Sequence, residues 1–291
     1  MKGIEIKHVS KRYKTVTALN DVTMYFEPGK IYGLLGRNGA GKTTLMNIIA
    51  NRIFADQGTV LIDGDTATEN MAVHEKIFCM SEADLYSPNL RVREHFKWTK
   101  RFYDGFDEAL AYELADRFKL DVNKRFRALS KGYQSIFKLV IALSLDVPFV
   151  FFDEPVLGLD ANNRELFYKL LLEKYEREGN TLVIATHLIE EVANIIEDVV
   201  LIDTGRVLLA ENVADLLARG YAVSGACADV EKYCANKQLI REDHLGGMMT
   251  AYVLGERTPV SSETHLQFAP LNLQKLFVKL TNEREDNQWA S

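Results

Sequence analysis

Gly36-Arg37-Asn38-Gly39-Ala40-Gly41-Lys42-Thr43 is the stretch of this sequence from which the architecture follows. Two glycines enclose four residues and are followed by Lys and Thr, which is the spacing of a phosphate-binding loop, or P-loop. The apolar run 31–35 leads into it and a helical pattern over 44–50 leads out of it, so the loop has the strand and helix it needs on either side. The alternative, a glycine-rich turn that happens to precede a lysine, does not account for these flanking elements.

The residue types of this loop suit a bound nucleoside triphosphate. Glycines let the backbone wrap closely round an anion and point successive N–H groups at it, and the following helix adds partial positive charge at its N-terminus. Lys42 can reach the β- and γ-phosphates as a catalytic residue, and Thr43 can place its hydroxyl on Mg²⁺. The residues predicted to bind the nucleotide here are Gly36, Asn38, Gly39, Ala40, Gly41, Lys42, Thr43 and Thr44.

Composition and charge narrow the class of protein. A length of 291 residues predicts about two domains, and 47% hydrophobic with 26% charged residues is ordinary for a globular protein. The net charge of −6 argues against a nucleic-acid-binding protein, although a local basic patch is compatible with it. Cys79, Cys227 and Cys234 form no CxxC pair, which favours a reduced, cytoplasmic setting.

The sequence indicates neither a membrane span nor a signal peptide. The most apolar stretch, 139–152, is interrupted by Asp146 and Pro148 and falls short of the ~18 uncharged residues of a spanning helix. Residues 1–5 alternate charged and apolar side chains, unlike a signal peptide. We therefore expect any action at a membrane to go through a partner protein.

Hydrophobic patterns indicate an α/β protein that encloses a helical segment. Apolar runs at 149–152 and 181–185 predict strands buried in a parallel sheet. Residues 199–203 and 206–209 are expected to pair as a hairpin across Thr204-Gly205. Residues 86–145 have apolar side chains at helical spacing. The character of the sequence changes at Gly220, which predicts a domain boundary there.

A second chemical pattern ends the run 149–152. Asp153 and Glu154 follow these four apolar residues, which is the Walker B arrangement of a P-loop protein. Asp153, at the end of the strand, would hold Mg²⁺, and Glu154, which projects the other way, can take a proton from attacking water. Two acids that end a strand by chance are the alternative, and the upstream P-loop disfavours it.

The segment Leu129-Ser130-Lys131-Gly132-Tyr133-Gln134 lies between these two patterns. It resembles the signature of the ATP-binding cassette (ABC) family, which usually reads LSGGQ. Ser130 and Gly132 match, and a hydroxyl and an exposed N–H at a helix N-terminus suit an anion. Lys131 and Tyr133 depart from the usual Gly and Gln. By itself the segment can also be a helix cap, and its order among the other patterns makes the resemblance specific.

Three further positions match this family. Gly158-Leu159-Asp160 corresponds to its D-loop, and His187 to the switch histidine that contacts the γ-phosphate and orients water. A histidine at that place can also cap the following helix. Tyr13 corresponds to the aromatic residue that stacks on adenine, a type of contact that contributes ~1–3 kcal/mol per base. Taken alone, Tyr13 is an ordinary surface aromatic.

Glu82 departs from the family, which has Gln at the corresponding position. Glutamate adds a charge and a stronger Mg²⁺ ligand beside Asp153 and Glu154, so the predicted metal ligands are Thr43, Asp153 and Glu82. Two interpretations stay open. Either hydrolysis becomes more dependent on a closed dimer and on a signal from the permease, or Glu82 merely substitutes for Gln.

The resemblance implies a fold and a division into domains. The fold is a P-loop NTPase of the α/β class, with a parallel-sheet core, an antiparallel β subdomain, a helical signature subdomain and a small α+β C-terminal appendage. The ABC ATPase domain is expected over 1–219, with its helical subdomain at about 84–145. An accessory or dimerisation domain is expected over 220–281, and a flexible tail over 282–291.

The resemblance also implies an activity. Two copies, or this chain and a paired nucleotide-binding subunit, would bind ATP and Mg²⁺ head to tail. The P-loop of one copy would then face Ser130 and Gly132 of the other. Hydrolysis would use Lys42, Glu154 and His187, and its energy would drive a separate permease.

The implied partner is an integral-membrane permease encoded separately, bound from the cytoplasmic face of the membrane. This family docks a permease near the positions of Tyr86, Phe96 and Trp98, although each of these can also belong to the core. Exporters with a similar appendage often carry peptides, toxins, drugs or lipid-like cargo, including amphipathic toxins of the phenol-soluble-modulin type. Nucleic acid is not an implied partner.

Two other functions compete with an exporter ATPase. A soluble ABC ATPase acting on ribosomes usually has two cassettes in one chain, and one acting on DNA has a long coiled coil within its cassette. The sequence shows one cassette and no such insertion. A catalytically weak regulatory subunit is disfavoured because Glu154 and His187 are both present.

Overall fold

The computed structural model describes residues 2–83, 85–259 and 265–281. The chain separates into two compact units, one formed by Met1–His187 with Asp198–Ala210 and the other by Leu188–Glu197 with Glu211–Ser291. The division at Gly220 and the accessory role of the C-terminal part stay predictions. The predicted flexible tail, 282–291, lies outside the described residues.

The first unit contains an antiparallel sheet whose strands run in the order β2-β1-β4-β5. These strands are β1 (Ile4–Tyr13), β2 (Val16–Phe26), β4 (Gln57–Ile62) and β5 (Asp65–Thr66). Ile4, Ile6 and Val9 of β1 are buried. Ile4 and Ile6 follow the two-residue alternation of a strand, and the register of pairing with β2 shifts between Ile6 and Val9.

A second, six-stranded sheet has the order β10-β9-β3-β8-β7-β6 and carries the P-loop. Its strands are β3 (Ile31–Leu35), β6 (Ile77–Met80), β7 (Phe149–Asp153), β8 (Thr181–Thr186), β9 (Asp198–Asp203) and β10 (Arg206–Asn212). Strands β6 to β9 and β3 pair in parallel, and every residue of β3, β7, β8 and β9 is buried. The predicted parallel-sheet core is therefore confirmed.

Helices cover this sheet and form the predicted insert. They are α1 (Lys42–Ile49), α2 (Met71–His74), α3 (Val92–Phe102), α4 (Glu108–Arg117), a 3₁₀ turn (Phe126–Ala128), α5 (Lys131–Leu143) and α6 (Ala161–Glu178). Helices α3 to α5 constitute the helical insert. Asp107 and Ser130 cap α4 and α5 by accepting backbone N–H groups, which satisfies donors that a helix start leaves unpaired.

Aromatic side chains hold the helical insert together. Phe96 on α3 is fully buried and stacks on Phe137 of α5 with ring centroids 6.3 Å apart, and Phe126 packs edge-on against the same ring at 5.2 Å. Of the two interpretations left open for Phe96, a docking surface or the core, the structure supports the core. The physical reason is that Phe96 lies on the face of α3 that packs against α5.

The second unit is an α+β fold around a sheet of order β12-β13-β11-β14. Its elements are α7 (Ile189–Val192), α8 (Val213–Arg219), β11 (Gly220–Ala226), α9 (Cys227–Cys234), β12 (Gln238–Leu245), β13 (Met248–Leu254), β14 (Gln267–Pro270) and α10 (Leu273–Thr281). Val223, Val230 and Val253 form part of its core. In the ranges that the structure describes, no helix is both long enough and apolar enough to cross a membrane.

Replacing Phe96 with Ala should lower the free energy of unfolding of the helical insert by about 3–5 kcal/mol, because it leaves a cavity in a packed aromatic cluster. Phe102→Ala on the same helix is the matched control, since Phe102 is 72% exposed, and it should change stability by no more than about 0.5 kcal/mol. Urea denaturation of both variants tests this. Equal losses would show that Phe96 is not a core residue.

Candidate active site

The P-loop lies between the buried end of β3 and the start of α1, at the carboxyl edge of the parallel sheet. Gly41 caps α1 with a φ of 110°, a conformation that favours glycine, and a Cβ there would come within 2.6 Å of the Ala18 carbonyl oxygen. A Cβ on Gly36 would lie 2.5 Å from the carbonyl oxygen of Ile202. The two glycines that frame the loop are therefore required by close backbone approach.

Lys42 is held at the centre of the loop. Its side chain is 6% exposed, and Nζ donates to the carbonyl oxygens of Gly36 at 2.7 Å and Arg37 at 3.2 Å. Nζ also lies 3.6 Å from Oε1 of Glu154. Burial lowers the pKa of Lys42, and the negative charges of Glu154 and Asp153 oppose this change. The Lys42 ammonium group therefore lies where the loop would enclose a phosphate.

Thr43 and Asp153 meet beside this lysine. The Thr43 hydroxyl donates to Oδ2 of Asp153 at 2.9 Å, and Asp153 is 3% exposed. Burial raises the pKa of Asp153, and the charge of Glu154 adds to the effect, while the Thr43 hydrogen bond opposes it. A carboxylate in so dry a place favours a neutralising partner such as a cation.

The donor set fits Mg²⁺ when a triphosphate is also present. Thr43 and Asp153 offer oxygen ligands, which hard cations prefer. Within residues 2–83, 85–259 and 265–281, no group of three or more His, Cys, Asp and Glu side chains is arranged to hold a metal ion. Mg²⁺ usually combines one or two protein oxygens with substrate phosphates and water, so this arrangement is suited to a metal that arrives with a nucleotide.

Glu154, which directly follows β7, contacts both the end of β8 and the P-loop lysine. Oε1 accepts from Nδ1 of His187 at 2.9 Å, and Oε2 accepts from the Thr186 hydroxyl at 3.1 Å. Glu154 has a φ of 45°, which is uncommon for a residue with a side chain and is often found at functional sites. The geometry brings Lys42, Glu154 and His187 together, as the sequence predicts. Thr186 was missed, although its place at the end of a predicted buried strand was a usable signal.

Lys42, Thr43, Glu154 and His187 line one cleft of about 490 Å³. Its wall is formed by Val16, Ala18, Asn38, Gly39, Ala40, Gly41, Lys42, Thr43, Thr44, Glu82, Glu154, Leu157 and His187. Tyr13 is not among these lining residues and is 45% exposed. It pairs across the β1–β2 hairpin with Val16, which lines the cleft. Val16, Ala18 and Leu157 could not be selected from the sequence, because only folding brings them here.

Ser130 and Gly132 lie elsewhere. Ser130 is exposed and its hydroxyl accepts from the backbone N–H of Tyr133 at 3.3 Å, at the start of α5. Neither residue belongs to the described lining of the cleft that holds Lys42. A single chain therefore does not bring Ser130 and Gly132 into the lining around its own P-loop.

An apolar groove of about 450 Å³ lies on the helical insert. Tyr86 and Trp98 line it, together with Leu85 and Phe102, and the last two are 62% and 72% exposed. Tyr86 and Trp98, for which a docking surface and the core were both open, therefore share this groove, whereas Phe96 lies in the core.

The chain is similar to several known proteins. A family model described as ABC transporter matches residues 19–157. The chain is 32% identical over 189 residues to the ABC transporter ATP-binding protein YtrB of Bacillus subtilis, covering 65% of each chain. It is 31% identical over 218 residues to the ABC transporter ATP-binding protein NatA of the same species, covering 70% of this chain and 87% of NatA.

Two further likenesses extend the comparison. The Nod factor export ATP-binding protein I of Burkholderia lata is 26% identical over 298 residues, covering 96% of each chain. A solved dimeric structure of the ATP-binding cassette MJ0796, in a post-hydrolysis state with ADP and Pi, superposes with a TM-score of 0.65 at 25% identity. It covers 72% of this chain and 98% of that one.

Replacing Asp153 with Asn should raise the melting temperature of the nucleotide-free and metal-free protein at neutral pH. Folding raises the pKa of this carboxyl. The folded protein therefore loses stability as the pH rises from the ordinary pKa of an aspartate to the raised pKa of Asp153. The gain should therefore be larger at about pH 7 than at about pH 4. Thermal denaturation at both pH values measures it.

The control for this experiment is Asp198→Asn, which breaks an ion pair between Asp198 Oδ2 and Lys30 Nζ at 2.8 Å. This variant should lower the melting temperature at neutral pH. A loss of stability in Asp153→Asn, or a gain that does not change with pH, would contradict the assigned burial effect.

Proposed function

Because this chain belongs to the ABC transporter family of ATP-binding proteins, we propose that it is the ATP-hydrolysing subunit of a bacterial exporter. The observation that carries the proposal is the cluster of Lys42, Glu154 and His187 at one P-loop cleft. A lysine for phosphate, a carboxylate base and a histidine that holds it are the groups that hydrolysis of a γ-phosphate requires.

ATP is proposed to bind with its phosphates in the loop and its base toward Tyr13. The N–H groups around Gly39 and Gly41 and the Lys42 ammonium would neutralise phosphate charge. Thr43, Asp153 and Glu82 would hold Mg²⁺, which supplies further neutralisation of the phosphate oxygens when bound. Tyr13 would stack on adenine from the end of the β1–β2 hairpin.

Glu154 is proposed as the general base. Oε1 and Oε2 are each fixed by a neighbour, His187 and Thr186 respectively, so the carboxylate is oriented before substrate arrives. A base that is already oriented loses little entropy in the reaction. His187 would stabilise the carboxylate and contact the γ-phosphate, and Lys42 would stabilise the charge that develops on the phosphate oxygens.

Two copies are proposed to close head to tail on ATP. Ser130 is exposed at the start of α5 and lies outside the lining of the cleft in its own chain, which supports a role in the site of a second copy. A dimeric solved cassette of the same fold supports the arrangement. ATP would then favour the closed state because it binds that state better, and hydrolysis would release it.

The partner is proposed to be an integral-membrane permease that contacts the subunit from the cytoplasmic face. The groove lined by Tyr86 and Trp98 supports this, because exposed apolar surface commonly marks a protein contact. Export is supported by the similarity to the Nod factor export ATP-binding protein I. Recovery of this protein only with ribosomes or nucleic acid, rather than with a membrane protein, would contradict the assignment. Cargo of the phenol-soluble-modulin type stays a prediction.

Replacing Glu154 with Gln should reduce ATP turnover by about 10²–10⁴-fold, because the general base is removed. ATP binding should be retained, and the closed dimer should accumulate because it is no longer released by hydrolysis. Phosphate release and size-exclusion chromatography with ATP measure the two effects. Glu165→Gln, at an exposed position of α6, is the control and should turn over normally. Substantial hydrolysis by Glu154→Gln would refute the assigned base.

Replacing Glu82 with Gln should raise basal hydrolysis and reduce its stimulation by the permease, if the extra carboxylate makes the reaction depend on closure. Glu82 lines the cleft together with Glu154, where a further negative charge opposes binding of the triphosphate. Steady-state ATPase assays with and without the permease in vesicles test this. Unchanged basal and stimulated rates would show that Glu82 simply substitutes for Gln.

A further inference from the structure

A second buried lysine lies close to the catalytic carboxylates. Lys138, on α5, is 4% exposed, and its Nζ donates to the main-chain carbonyl oxygens of Glu82 at 2.6 Å and Ala83 at 3.2 Å. A buried ammonium is costly unless it is paired and hydrogen-bonded. These two carbonyl groups therefore tie the segment after β6 to α5.

The same lysine lines a small cavity together with the catalytic carboxylates. This cavity, of about 270 Å³, is lined by Lys138 together with Glu82, Asp153 and Glu154. Three carboxyl groups in one lining repel one another when ionised, and a buried ammonium beside them reduces this repulsion. Lys138 thus donates a hydrogen bond to the main chain of Glu82. Its positive charge also reduces the repulsion between the Glu82 carboxylate and the other two.

The position of Lys138 along its helix adds a third point. Helix α5 begins directly after Ser130, which caps it, and Lys138 lies about two turns further on. The helix that would contact the nucleotide of a second copy therefore also holds the backbone of Glu82. A movement of α5 would displace Glu82 through the two carbonyl contacts.

We propose that Lys138 is a positioning residue for hydrolysis, which holds Glu82 beside Asp153 and Glu154 and makes the placement of Glu82 follow α5. The inference rests on the proposed ATPase function and adds a residue outside the P-loop, Walker B and signature-like segments. It acts through Glu82, so Lys138 itself touches neither the nucleotide nor the attacking water.

The chain offers a matched control. Lys174 on α6 is 1% exposed, and its Nζ donates to the carbonyl oxygen of Leu145 and contacts Glu178. It is thus also a buried lysine that holds main chain, but it lies outside the lining of both cavities next to Glu154. Lys174→Met reports the effect of losing such a contact on stability alone.

The test compares Lys138→Met, Lys138→Arg and Lys174→Met with wild type. Lys138→Met should lower kcat by about 10-fold or more, as removal of a residue that orients a metal ligand typically does, while ATP affinity without Mg²⁺ changes by less than about 2-fold. The Mg²⁺ concentration for half-maximal activity should rise, and the increase in melting temperature on adding Mg²⁺ to the ATP-bound protein should shrink. Lys138→Arg should partly restore kcat, the Mg²⁺ dependence and the Mg²⁺-induced increase in melting temperature. Lys174→Met should lower only the melting temperature.

A double variant shows whether Lys138 acts through Glu82. In a Glu82→Gln background, Lys138→Met should have a smaller effect on the Mg²⁺ dependence than in wild type, because contacting residues give non-additive effects. Additive effects would overturn the proposal. Wild-type kcat and Mg²⁺ dependence in Lys138→Met would also overturn it, as would losses in Lys138→Met that match those in Lys174→Met and are not rescued by Arg.

Failure of the proposed function has a different result. A wild-type protein that binds ATP but does not hydrolyse it would remove the ATPase assignment and the role of Lys138 with it. A wild-type protein that hydrolyses ATP, combined with an unaffected Lys138→Met, would remove the role of Lys138 alone.

Discussion

The register of three buried parallel strands determines the active site. Strand β3 pairs with β8 so that Leu35 lies opposite Thr186, and β7 pairs with β8 so that Asp153 lies opposite Ala185. The three strands therefore end at the same level, and the P-loop, the Walker B acids and His187 emerge side by side. A slip of one residue would turn the side chains of a strand to the opposite face of the sheet, which would separate the base from the lysine.

This arrangement concentrates charge in a dry environment. Burial lowers the pKa of Lys42 and raises that of Asp153, so the same desolvation acts against both charged groups. Their mutual attraction offsets part of this effect, and a triphosphate with its metal would offset more. The backbone at Glu154 is also strained, with a φ of 45°. Strain and buried charge both lower the stability of the nucleotide-free protein, and both are common at functional sites.

The helical insert has two connected tasks. Its aromatic core, with Phe96 on Phe137, makes it a stiff body, and α5 carries Ser130 at one end and Lys138 further along. Lys138 anchors the segment that contains Glu82, so the insert contacts the catalytic region through a buried hydrogen-bonded charge. A charge-assisted hydrogen bond has a defined geometry. A movement of α5 would therefore displace Glu82 more directly through this bond than through an apolar contact.

Local sequence determined the parts of this protein that depend on spacing along the chain. The P-loop, the paired acids after 149–152 and the buried strands could be predicted, because each is an anion-binding turn or an apolar run with its own local physics. The hydrogen bond of Thr186 to Glu154, the hydrogen bond of Lys138 to the Glu82 carbonyl and the packing of Phe96 on Phe137 were decided only by tertiary structure. Each depends on a contact between residues that are far apart in the sequence, and a short-range sequence pattern does not indicate such contacts.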